Sequence, residues 1–363
     1  MKDHRHTIVY LIDSLSFGGA EKQLTLLAES LPGSFTPVVV SLSENTIPFG
    51  DHLTSKGIEV IVIPRRSHND WSRLWRVTRL LRENRADIVH GFLDAANGYA
   101  YVAARMLRKP VILSLRNEKL RVSGAKAAVL SWMLRHSDGV LVNSNAGVKF
   151  LETKVRVAND KIVYIRNWVD PEKGPCVRTL PPPDDPWTIG FVGRFAKQKR
   201  LHLLINAFQR VLEHAPGRLL LMGSGSEHGA LVEQTQALGI SEHVEFIDPD
   251  LNIETTLKRL HAFVIASGFE GLPNAAIEAL SMGIPIVSTP VGDLRELIIE
   301  GKTGYFFEDD SPESMAKTIV DALSDRELLE TALDIGPTFI EEEFSIERAL
   351  NRLIPVYSSL VST

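Results

Sequence analysis

The chain has 363 residues, of which 44 % are apolar and 23 % are charged. This length exceeds one ordinary hydrophobic core and suits two domains, and the composition is that of a folded chain. A single cysteine, Cys176, excludes a disulfide framework and favours a reducing compartment. The first apolar run ends at Asp13 and is too short for a signal peptide, and no run approaches the roughly 18 apolar residues of a membrane span. We therefore expect a cytoplasmic protein.

The formal net charge of −5 is distributed unevenly along the chain. Residues 1–170 hold 24 Lys and Arg against 16 Asp and Glu, a balance of +8, and the remaining residues hold 16 against 29, a balance of −13. This asymmetry indicates either two domains with different electrostatic partners or chance compositional drift.

Short apolar, β-branched segments alternate with helical patterns along the whole chain, which predicts parallel sheets covered by helices on both faces. In the first half the predicted strands are Thr7–Asp13, Val38–Leu42, Val60–Pro64, Ile88–Phe92, Val111–Leu115, Gly139–Asn143 and Ile162–Arg166. In the second half they are Thr188–Gly193, Arg218–Gly223, Val244–Asp248, Ala262–Ser267, Pro285–Thr289 and Gly304–Phe307. Between the halves, residues 171–186 are proline-rich and aperiodic, which is typical of a linker.

These patterns predict an α/β protein with two doubly wound, Rossmann-like domains, at residues 1–170 and 187–344. Residues 345–363 are predicted to form an amphipathic helix whose apolar side carries Ile346, Ala349, Leu350, Leu353, Ile354 and Tyr357. Ligands of open parallel sheets bind beyond the carboxyl ends of the strands, so we expect a ligand site in a cleft between the two domains.

Gly18 and Gly19 follow the first predicted strand and open a helix, in the sequence Gly18-Gly19-Ala20-Glu21. Paired glycines let the backbone approach a ligand closely, and a helix N-terminus favours negative groups. A tight strand-to-helix turn would use the same glycines. The spacing is not G-x-G-x-x-G, which argues against a nicotinamide cofactor.

Residues 71–85, WSRLWRVTRLLRENR, form a basic amphipathic pattern with tryptophans. Such a helix suits the headgroup boundary of an anionic membrane. Alternatively, its apolar side packs on the sheet and its arginines lie in water. The predicted membrane face is Trp71, Arg73, Trp75, Arg76 and Arg79.

Arg194 and Lys199 stand five residues apart in the loop after the first strand of the second domain, in VGRFAKQK. Both side chains are expected to converge on a diphosphate, arginine through its planar fork and lysine as a point charge. A solvated basic loop is the alternative, since Lys197 and Arg200 lie beside them.

Glu270 lies in a glycine-flanked loop, and Glu278 lies eight residues later inside a helix. Between them the amides of Asn274, Ala275 and Ala276 open that helix and suit an anion. A nucleotide sugar needs such an array, with one carboxylate for sugar hydroxyls, amides for phosphate and one carboxylate for the ribose. The alternative is two solvated glutamates, but Glu278 is set in an otherwise apolar helix.

Weaker signals stand elsewhere in the sequence. Asp248-Pro249-Asp250 has the D-x-D form of some metal sites, but aspartates flanking a proline are common in turns. The histidine spacing supports no zinc site. His90, near the end of a predicted strand, points either at the cleft or into the sheet.

Taken together, the motifs GGAE, VGR-F-AKQK, LMGSGS, EGLPNAAIEAL and GKTG resemble glycosyltransferase family 4, which has the GT-B fold. The resemblance implies a retaining transferase that needs no metal and no cofactor. It implies that Arg194 and Lys199 bind the diphosphate, that Glu270 orients the donor sugar and that Glu278 holds the ribose. We take Arg194, Lys199 and Glu270 as the catalytic residues. The remaining donor-binding residues that it implies are Gly18, Gly19, Gly223, Gly225, Leu272, Asn274 and Ala275. The final helix is expected to cross back onto the first domain.

The chain departs from this family at two positions. Arg116 follows a first-domain strand where the family often carries histidine, which puts the donor-sugar contacts in question. Asp248 replaces a glycine, which leaves the base of the nucleotide open. We take Arg116, His90 and Asn143 as candidates for contacts with the donor sugar or the acceptor.

The function that follows is transfer of a sugar from a UDP- or GDP-sugar to a hydroxyl of a glycan or lipid-linked acceptor, in assembly of a cell-surface polysaccharide or glycolipid. The expected partners are the nucleotide sugar, the acceptor and an anionic membrane surface on the cytoplasmic side, without nucleic acid. The alternatives are a nucleotide-sugar epimerase on the same fold, a two-lobed sugar-binding protein, and a metal-dependent transferase that uses Asp248 and Asp250.

Overall fold

The computed structural model describes residues 5–67, 70–116, 120, 122–169, 186–250 and 252–362. The chain divides into two compact units, Met1–Trp168 with Ile346–Thr363, and Val169–Ser345. Residues 171–185 of the predicted linker, with Cys176, lie outside the described residues.

The first unit is built on a parallel sheet. Its strands are β1 (His6–Ile12), β2 (Phe35–Ser41), β3 (Glu59–Val62), β4 (Ile88–Phe92), β5 (Val111–Leu115), β6 (Gly139–Val142) and β7 (Ile162–Tyr164). In the described residues the spatial order is β3-β2-β1-β4-β5-β6-β7. The direction in which strands are added reverses between β1 and β4, so the crevice that binds ligands in such sheets is expected beyond their carboxyl ends.

The second unit repeats this plan. Its strands are β8 (Trp187–Val192), β9 (Gly217–Met222), β10 (Val244–Ile247), β11 (Ala262–Ile265), β12 (Ile286–Ser288) and β13 (Gly304–Phe306). Within the described range they are parallel and lie in the order β10-β9-β8-β11-β12-β13. Here the reversal lies between β8 and β11.

Helices connect the strands in both units. In the first unit they are α1 (Gly19–Glu29), α2 (Phe49–Ser55), α3 (Ser72–Glu83), α4 (Asp94–Met106), α5 (Gly124–His136) and α6 (Asn145–Phe150). In the second they are α7 (Leu201–Val211), α8 (His228–Ala237), α9 (Glu254–Leu257), α10 (Asn274–Ser281), α11 (Pro312–Ser324) and α12 (Arg326–Phe344). No helix in the described part of the chain combines the length and apolarity needed to cross a bilayer.

The last helix, α13 (Ile346–Val361), belongs to the first unit. It buries Ile346, Ala349, Leu353 and Tyr357, four of the six residues predicted for its apolar side. Tyr357 packs its ring 5.9 Å from that of Phe35 on β2. The helix therefore covers one face of the first sheet, opposite the face that carries α3 and α4.

The prediction of two parallel α/β domains is confirmed, because each predicted strand overlaps an observed one within a few residues at either end. The strands form because near-continuous apolar segments can be buried on both faces: five of the seven β1 residues are buried. Helix starts follow capping chemistry, with Ser144, Ser311 and Asp325 accepting hydrogen bonds from backbone amides three residues ahead.

Candidate active site

The loops after β8 and β11 meet at the reversal point of the second sheet. Gln198 donates a side-chain hydrogen bond to the carbonyl of Phe269 at 2.8 Å, and Gly268 donates its amide to the carbonyl of Gln198 at 2.9 Å. These two hydrogen bonds hold the loops together as one surface, which carries both Lys199 and Glu270.

The two loops come from distant parts of the sequence, since Lys199 and Glu270 are 71 residues apart.

Lys199 and Glu270 form an ion pair, Nζ to Oε1, at this point. The same carboxylate oxygen accepts a hydrogen bond from Ser267 Oγ at 2.5 Å, and Glu270 is only 6 % exposed. A buried carboxylate held by an ammonium and a hydroxyl is fixed in position. The structure thus brings together two of the three residues predicted to be catalytic.

Arg194, the third, lies next to Gly193 with its side chain exposed and without a hydrogen-bond or ion-pair partner among the described residues. Its guanidinium is free to meet an anion. Arg200, which sequence analysis treated as part of a solvated loop, is instead paired with Asp310 Oδ2 at 2.6 Å.

Gly223 and Gly225 form a loop that packs on the backbone of the β8 loop. A Cβ atom on Gly223 would lie 1.9 Å from the carbonyl oxygen of Gly193, and one on Gly225 would lie 2.2 Å from that of Phe195. Both glycines have φ near +150°, a region that other residues rarely adopt. Close backbone packing therefore requires glycine at both positions, whatever ligand lies nearby.

Helix α10 begins at Asn274, directly after Pro273. The amides of Ala276 and Ile277 both bond to the carbonyl of Pro273, so the Ala276 amide that was expected to be open is occupied. Asn274 and Ala275 open the helix and are half-buried, as is Glu278 one turn later.

Leu272, also predicted to bind the donor, is 4 % exposed and packs in the core beneath the loop. The neighbouring Gly292, with φ of +55°, has no room for a side chain, because a Cβ atom would lie 2.0 Å from the carbonyl oxygen of Glu270. Gly292 was not among the predicted site residues. The sequence could have indicated it as a glycine in the loop after β12, the strand beside β11.

In the first unit, Gly18 and Gly19 lie at the start of α1, beyond the carboxyl end of β1. Gly18 has an extended backbone that any residue adopts, but a Cβ atom there would lie 2.0 Å from Glu21 Oε2. Ser14 Oγ donates to Glu21 Oε1 at 3.4 Å, and Glu21 is buried. Gly18 therefore makes room for a carboxylate of its own helix.

Asp13, which was not among the predicted site residues, directly follows β1 at the reversal point of the first sheet. Its Oδ1 accepts the amide of Ala96 at 2.8 Å, and burial raises the pKa of this carboxyl. It lines a cavity of about 460 Å³ with Ser43, Arg65 and Arg73. The available signal was an acidic residue at the end of a central strand, where ligands of such sheets bind.

His90 does not reach a substrate surface, which corrects its assignment to the sugar side of the site. It is fully buried on β4, with Nδ1 2.7 Å from Tyr357 Oη and Nε2 2.8 Å from Ser114 Oγ. Burial, with a smaller contribution from Arg116, holds the pKa of His90 well below its ordinary value. The residue therefore ties α13 to the sheet as a neutral imidazole.

Arg116 and Asn143 follow β5 and β6 at the carboxyl edge of the first sheet, where both were expected. Arg116 Nη1 donates to Asn167 Oδ1 at 3.4 Å, and Asn143 Nδ2 donates to the same oxygen at 2.9 Å. Asn167 is a further member of this cluster that sequence analysis did not select. It follows β7, in the sequence Ile165-Arg166-Asn167-Trp168 before the linker.

The predicted membrane face of residues 71–79 is wrong at Arg73. Arg73 is buried, donating from Nε to the carbonyl of Ile63 at 3.0 Å and from Nη2 to that of Leu42, so its assignment to a membrane face is wrong. A guanidinium satisfies carbonyls left at the ends of two strands, which explains its burial. Trp71 and Trp75, by contrast, are 86 % and 68 % exposed.

The other two arginines of the predicted membrane face are engaged in ion pairs. Arg76 Nη2 contacts Asp70 Oδ2 at 2.5 Å and the carbonyl of Pro64 at 2.8 Å, and Arg79 Nε contacts Glu83 Oε1 at 2.7 Å. Arg79 remains solvent-exposed.

The aspartates of Asp248-Pro249-Asp250 are exposed after β10, and Asp250 Oδ1 accepts the amide of Asn252 at 3.2 Å in a local turn. Over the described ranges, no group of three His, Cys, Asp or Glu side chains is arranged to hold a metal ion.

Two family models match the chain. The model of Glycosyltransferase Family 4 matches residues 17–173, and that of Glycosyl transferases group 1 matches residues 177–336. Among curated relatives, the Vi polysaccharide biosynthesis protein VipC/TviE of Salmonella typhi is 30 % identical over 176 residues, which cover 47 % of this chain and 30 % of that protein. The N-acetyl-alpha-D-glucosaminyl L-malate synthase of Bacillus anthracis is 24 % identical over 289 residues, covering 76 % of this chain and 75 % of that enzyme.

Among solved structures, the Anabaena protein Alr3699/HepE in complex with UDP and glucose superposes with a TM-score of 0.85 at 18 % identity, covering 97 % of this chain and 99 % of that chain. This likeness shows the fold, which is that of the GT-B glycosyltransferases. The two family models between them cover most of both units, and their residues include each of the motifs described above. The chain therefore belongs to glycosyltransferase family 4.

Proposed function

We propose that this glycosyltransferase moves a sugar from a UDP- or GDP-sugar to a hydroxyl of a glycan or lipid-linked acceptor, with retention of the anomeric configuration and without a metal ion. The observation that carries the donor assignment is the Lys199–Glu270 pair at the reversal point of the second sheet. It lies where open parallel sheets bind nucleotides. The Anabaena protein that shares this fold binds UDP and glucose.

The chemistry requires stabilisation of charge on the leaving diphosphate. As the bond from the anomeric carbon to the phosphate oxygen breaks, negative charge develops on that oxygen, and preorganised cations stabilise it. Lys199 is held in place by Glu270, and the guanidinium of Arg194 is exposed beside the same loop. The acceptor oxygen bonds to the anomeric carbon from the face that the phosphate leaves, and its proton passes to the departing phosphate oxygen.

The acceptor assignment rests on the cavity beside Asp13. Asp13 is half-buried and lines this cavity together with Arg65 and Arg73. Its carboxylate suits a hydroxylated acceptor, because its oxygens accept hydrogen bonds from hydroxyls. A role in polysaccharide or glycolipid assembly is supported by the similarity to the Vi polysaccharide biosynthesis protein.

Peripheral binding to an anionic membrane would bring the enzyme to a lipid-linked acceptor. Trp71, directly before α3, and Trp75, on α3, are exposed, and Trp132 on α5 is 49 % exposed. Tryptophans beside arginines suit the headgroup region. Trp71 and Trp75, here called the tryptophan surface, replace the predicted face that included Arg73.

The test is mass spectrometry of products after incubation with a panel of sugar nucleotides and a membrane lipid extract. Transfer to an acceptor supports the proposal, whereas an isomerised donor with no transfer would establish the epimerase. Lys199→Ala should reduce turnover about a hundredfold or more, because a cation facing the leaving group is lost. Lys197→Ala, an exposed lysine in the same turn, is the matched control and should keep full turnover.

Metal independence is tested in the same assay. Turnover should persist when a chelator such as EDTA is added. Loss of turnover with chelator, followed by recovery with manganese or magnesium, would contradict this part of the proposal and favour a role for Asp248 and Asp250.

A further inference from the structure

Arg116 is a cation whose hydrogen-bonding capacity is largely unused. Its Nε and Nη2 atoms are buried and have no hydrogen-bond partner in the described residues, while Nη1 makes one long contact, 3.4 Å, with Asn167. The guanidinium carbon lies 4.8 Å from the ring centre of Phe92 and 5.6 Å from that of Trp168. Two aromatic rings thus hold the side chain in place without satisfying its donors.

The two unused donors form one recognition edge. The N–H of Nε and one N–H of Nη2 point in parallel along the same side of the guanidinium, and this edge matches the two oxygens of a carboxylate. A buried donor without a partner costs stability, and a charged one costs more. A site that leaves such an edge unpaired is therefore organised for an anion that arrives with a ligand.

The charge on Arg116 persists at neutral pH. Burial lowers the pKa of its guanidinium to about 10, which leaves the group protonated. The described contacts of Arg116 are an amide and two aromatic rings, and no carboxylate is among them.

Arg116 needs a hydrogen-bond acceptor from the ligand, whereas Asn143 needs a donor. Its Nδ2 donates to Asn167 Oδ1 at 2.9 Å, whereas its own Oδ1 is buried and has no hydrogen-bond partner within the described part of the chain. Arg116 and Asn143 both donate to that oxygen of Asn167, so they are neighbours. A ligand that satisfies both residues brings an anion to Arg116 and a hydroxyl or N–H donor to Asn143. Phosphate, which is largely an acceptor at neutral pH, satisfies only the first.

We propose that Arg116, Asn143 and Asn167 bind a carboxylate that has a hydroxyl beside it, and that the substrate of this enzyme is accordingly a sugar acid. The carboxylate belongs either to a uronic acid carried by the nucleotide donor or to an acidic sugar at the end of the acceptor. This inference rests on the proposed sugar transfer for its biological meaning, and the binding site itself is testable without transfer.

The first experiment compares substrates that differ only at C6. The donor arm uses UDP-glucuronic acid against UDP-glucose, UDP-galacturonic acid against UDP-galactose, and GDP-mannuronic acid against GDP-mannose. The acceptor arm uses methyl glycosides of glucuronic and galacturonic acid against those of glucose and galactose. In one arm, kcat/KM should be higher for the acid by about tenfold or more, the value of a charge-assisted hydrogen bond. That arm identifies the source of the carboxylate.

Variants then assign the preference to this cluster. Arg116→Gln should abolish the preference by reducing kcat/KM for the acid alone. Asn143→Asp keeps the size of the side chain but offers Arg116 an internal carboxylate, and it should also remove the preference. Arg105→Gln is the matched control, because Arg105 pairs with Asp138 at the other end of the same sheet, and it should leave the preference intact.

A binding measurement separates this inference from the transfer reaction. The Nε–H resonance of Arg116, assigned by its loss in Arg116→Lys, should shift on titration with galacturonate or glucuronate in the wild-type protein, and should not shift with galactose or glucose. A shift without any sugar transfer would leave the carboxylate site in place and overturn the proposed function. Equal kcat/KM for acids and neutral sugars in both arms would overturn the inference while transfer stands, as would a shift caused by inorganic phosphate and not by the uronates.

Discussion

Glu270 and Glu278 are eight residues apart, yet the structure gives them different surroundings. Glu270 is buried in the loop after β11 and paired with Lys199, whereas Glu278 is half-buried one turn into α10. Residue spacing indicated both carboxylates but could not show that the first is already paired with a lysine. The difference implies that the two glutamates respond differently to mutation.

Replacing Glu278 with alanine should weaken binding of the bare nucleotide diphosphate. If Glu278 holds the ribose diol, the variant loses charge-assisted hydrogen bonds of about 1.5–3 kcal/mol each, which lowers affinity by about tenfold or more. Calorimetry with UDP and GDP measures this directly. Glu242→Ala, an exposed glutamate before β10, should bind as the wild type does. Unchanged affinity in a folded Glu278→Ala protein would remove this residue from the site.

Asp13→Asn should separate stability from activity. The pKa of Asp13 in the folded protein is raised, chiefly by burial, so the carboxylate costs stability at neutral pH. The variant keeps an oxygen that can accept the amide of Ala96, and it should be at least as stable as the wild type at pH 7. Its turnover should fall by about tenfold or more if Asp13 bonds the acceptor.

The stability difference between the wild type and Asp13→Asn should change with pH, in a direction set by the raised pKa of Asp13. Because the folded pKa of Asp13 exceeds the unfolded one, the wild type gains stability relative to Asp13→Asn as the pH falls through the folded pKa. The difference in Tm between the two proteins should therefore narrow between pH 7 and pH 4. A difference that widens on acidification would show that the ionised carboxylate stabilises the fold.

Among the elements, helix α13 follows the second unit in the sequence but packs on the sheet of the first. Its amphipathic pattern was evident from the sequence, and its partner is the face of the first sheet that carries Tyr10 and His90. Tyr357 Oη lies 2.7 Å from His90 Nδ1 and 3.2 Å from Tyr10 Oη, in a buried polar network.

Tyr357→Phe should destabilise the first unit while leaving its packing intact. The variant removes one hydroxyl and leaves buried polar groups on His90 and Tyr10 without that partner, at a cost of about 1–3 kcal/mol. Urea denaturation should show this as a lower midpoint with an unchanged dependence on denaturant. An unchanged midpoint would mean that water or a rearranged side chain replaces the hydroxyl.

At the scale of the whole molecule, the basic first half of the chain suggested a surface of arginines that binds an anionic membrane. The structure reduces the number of arginines available for such a surface. Of the predicted membrane face, Arg73 is buried and Arg76 is held by Asp70, so these two cations are not free to meet lipid. The exposed apolar side chains of the tryptophan surface remain. Membrane binding through α3 should therefore depend on Trp71 and Trp75 more than on Arg73.

Vesicle co-sedimentation tests this expectation. The wild type should bind vesicles of phosphatidylglycerol and phosphatidylcholine, less so as salt rises, because arginines contribute about 1 kcal/mol each near an anionic surface. Trp71→Ser with Trp75→Ser should abolish binding, whereas Ile299→Ser, a partly exposed apolar residue of the second unit, should not. Wild-type protein that remains in the supernatant at low salt would indicate a water-soluble acceptor.

The sequence by itself determined the fold class, because apolar runs separated by helical patterns have one stable arrangement, a parallel sheet covered on both faces. It also determined which loops carry Lys199, Glu270 and Arg116, since the ends of strands follow from the same pattern. Only the tertiary structure decided what those side chains meet. Burial depends on contacts between distant segments, so local spacing could not show the pairing of Lys199 with Glu270, the burial of His90 and Arg73, or the unpaired donors of Arg116.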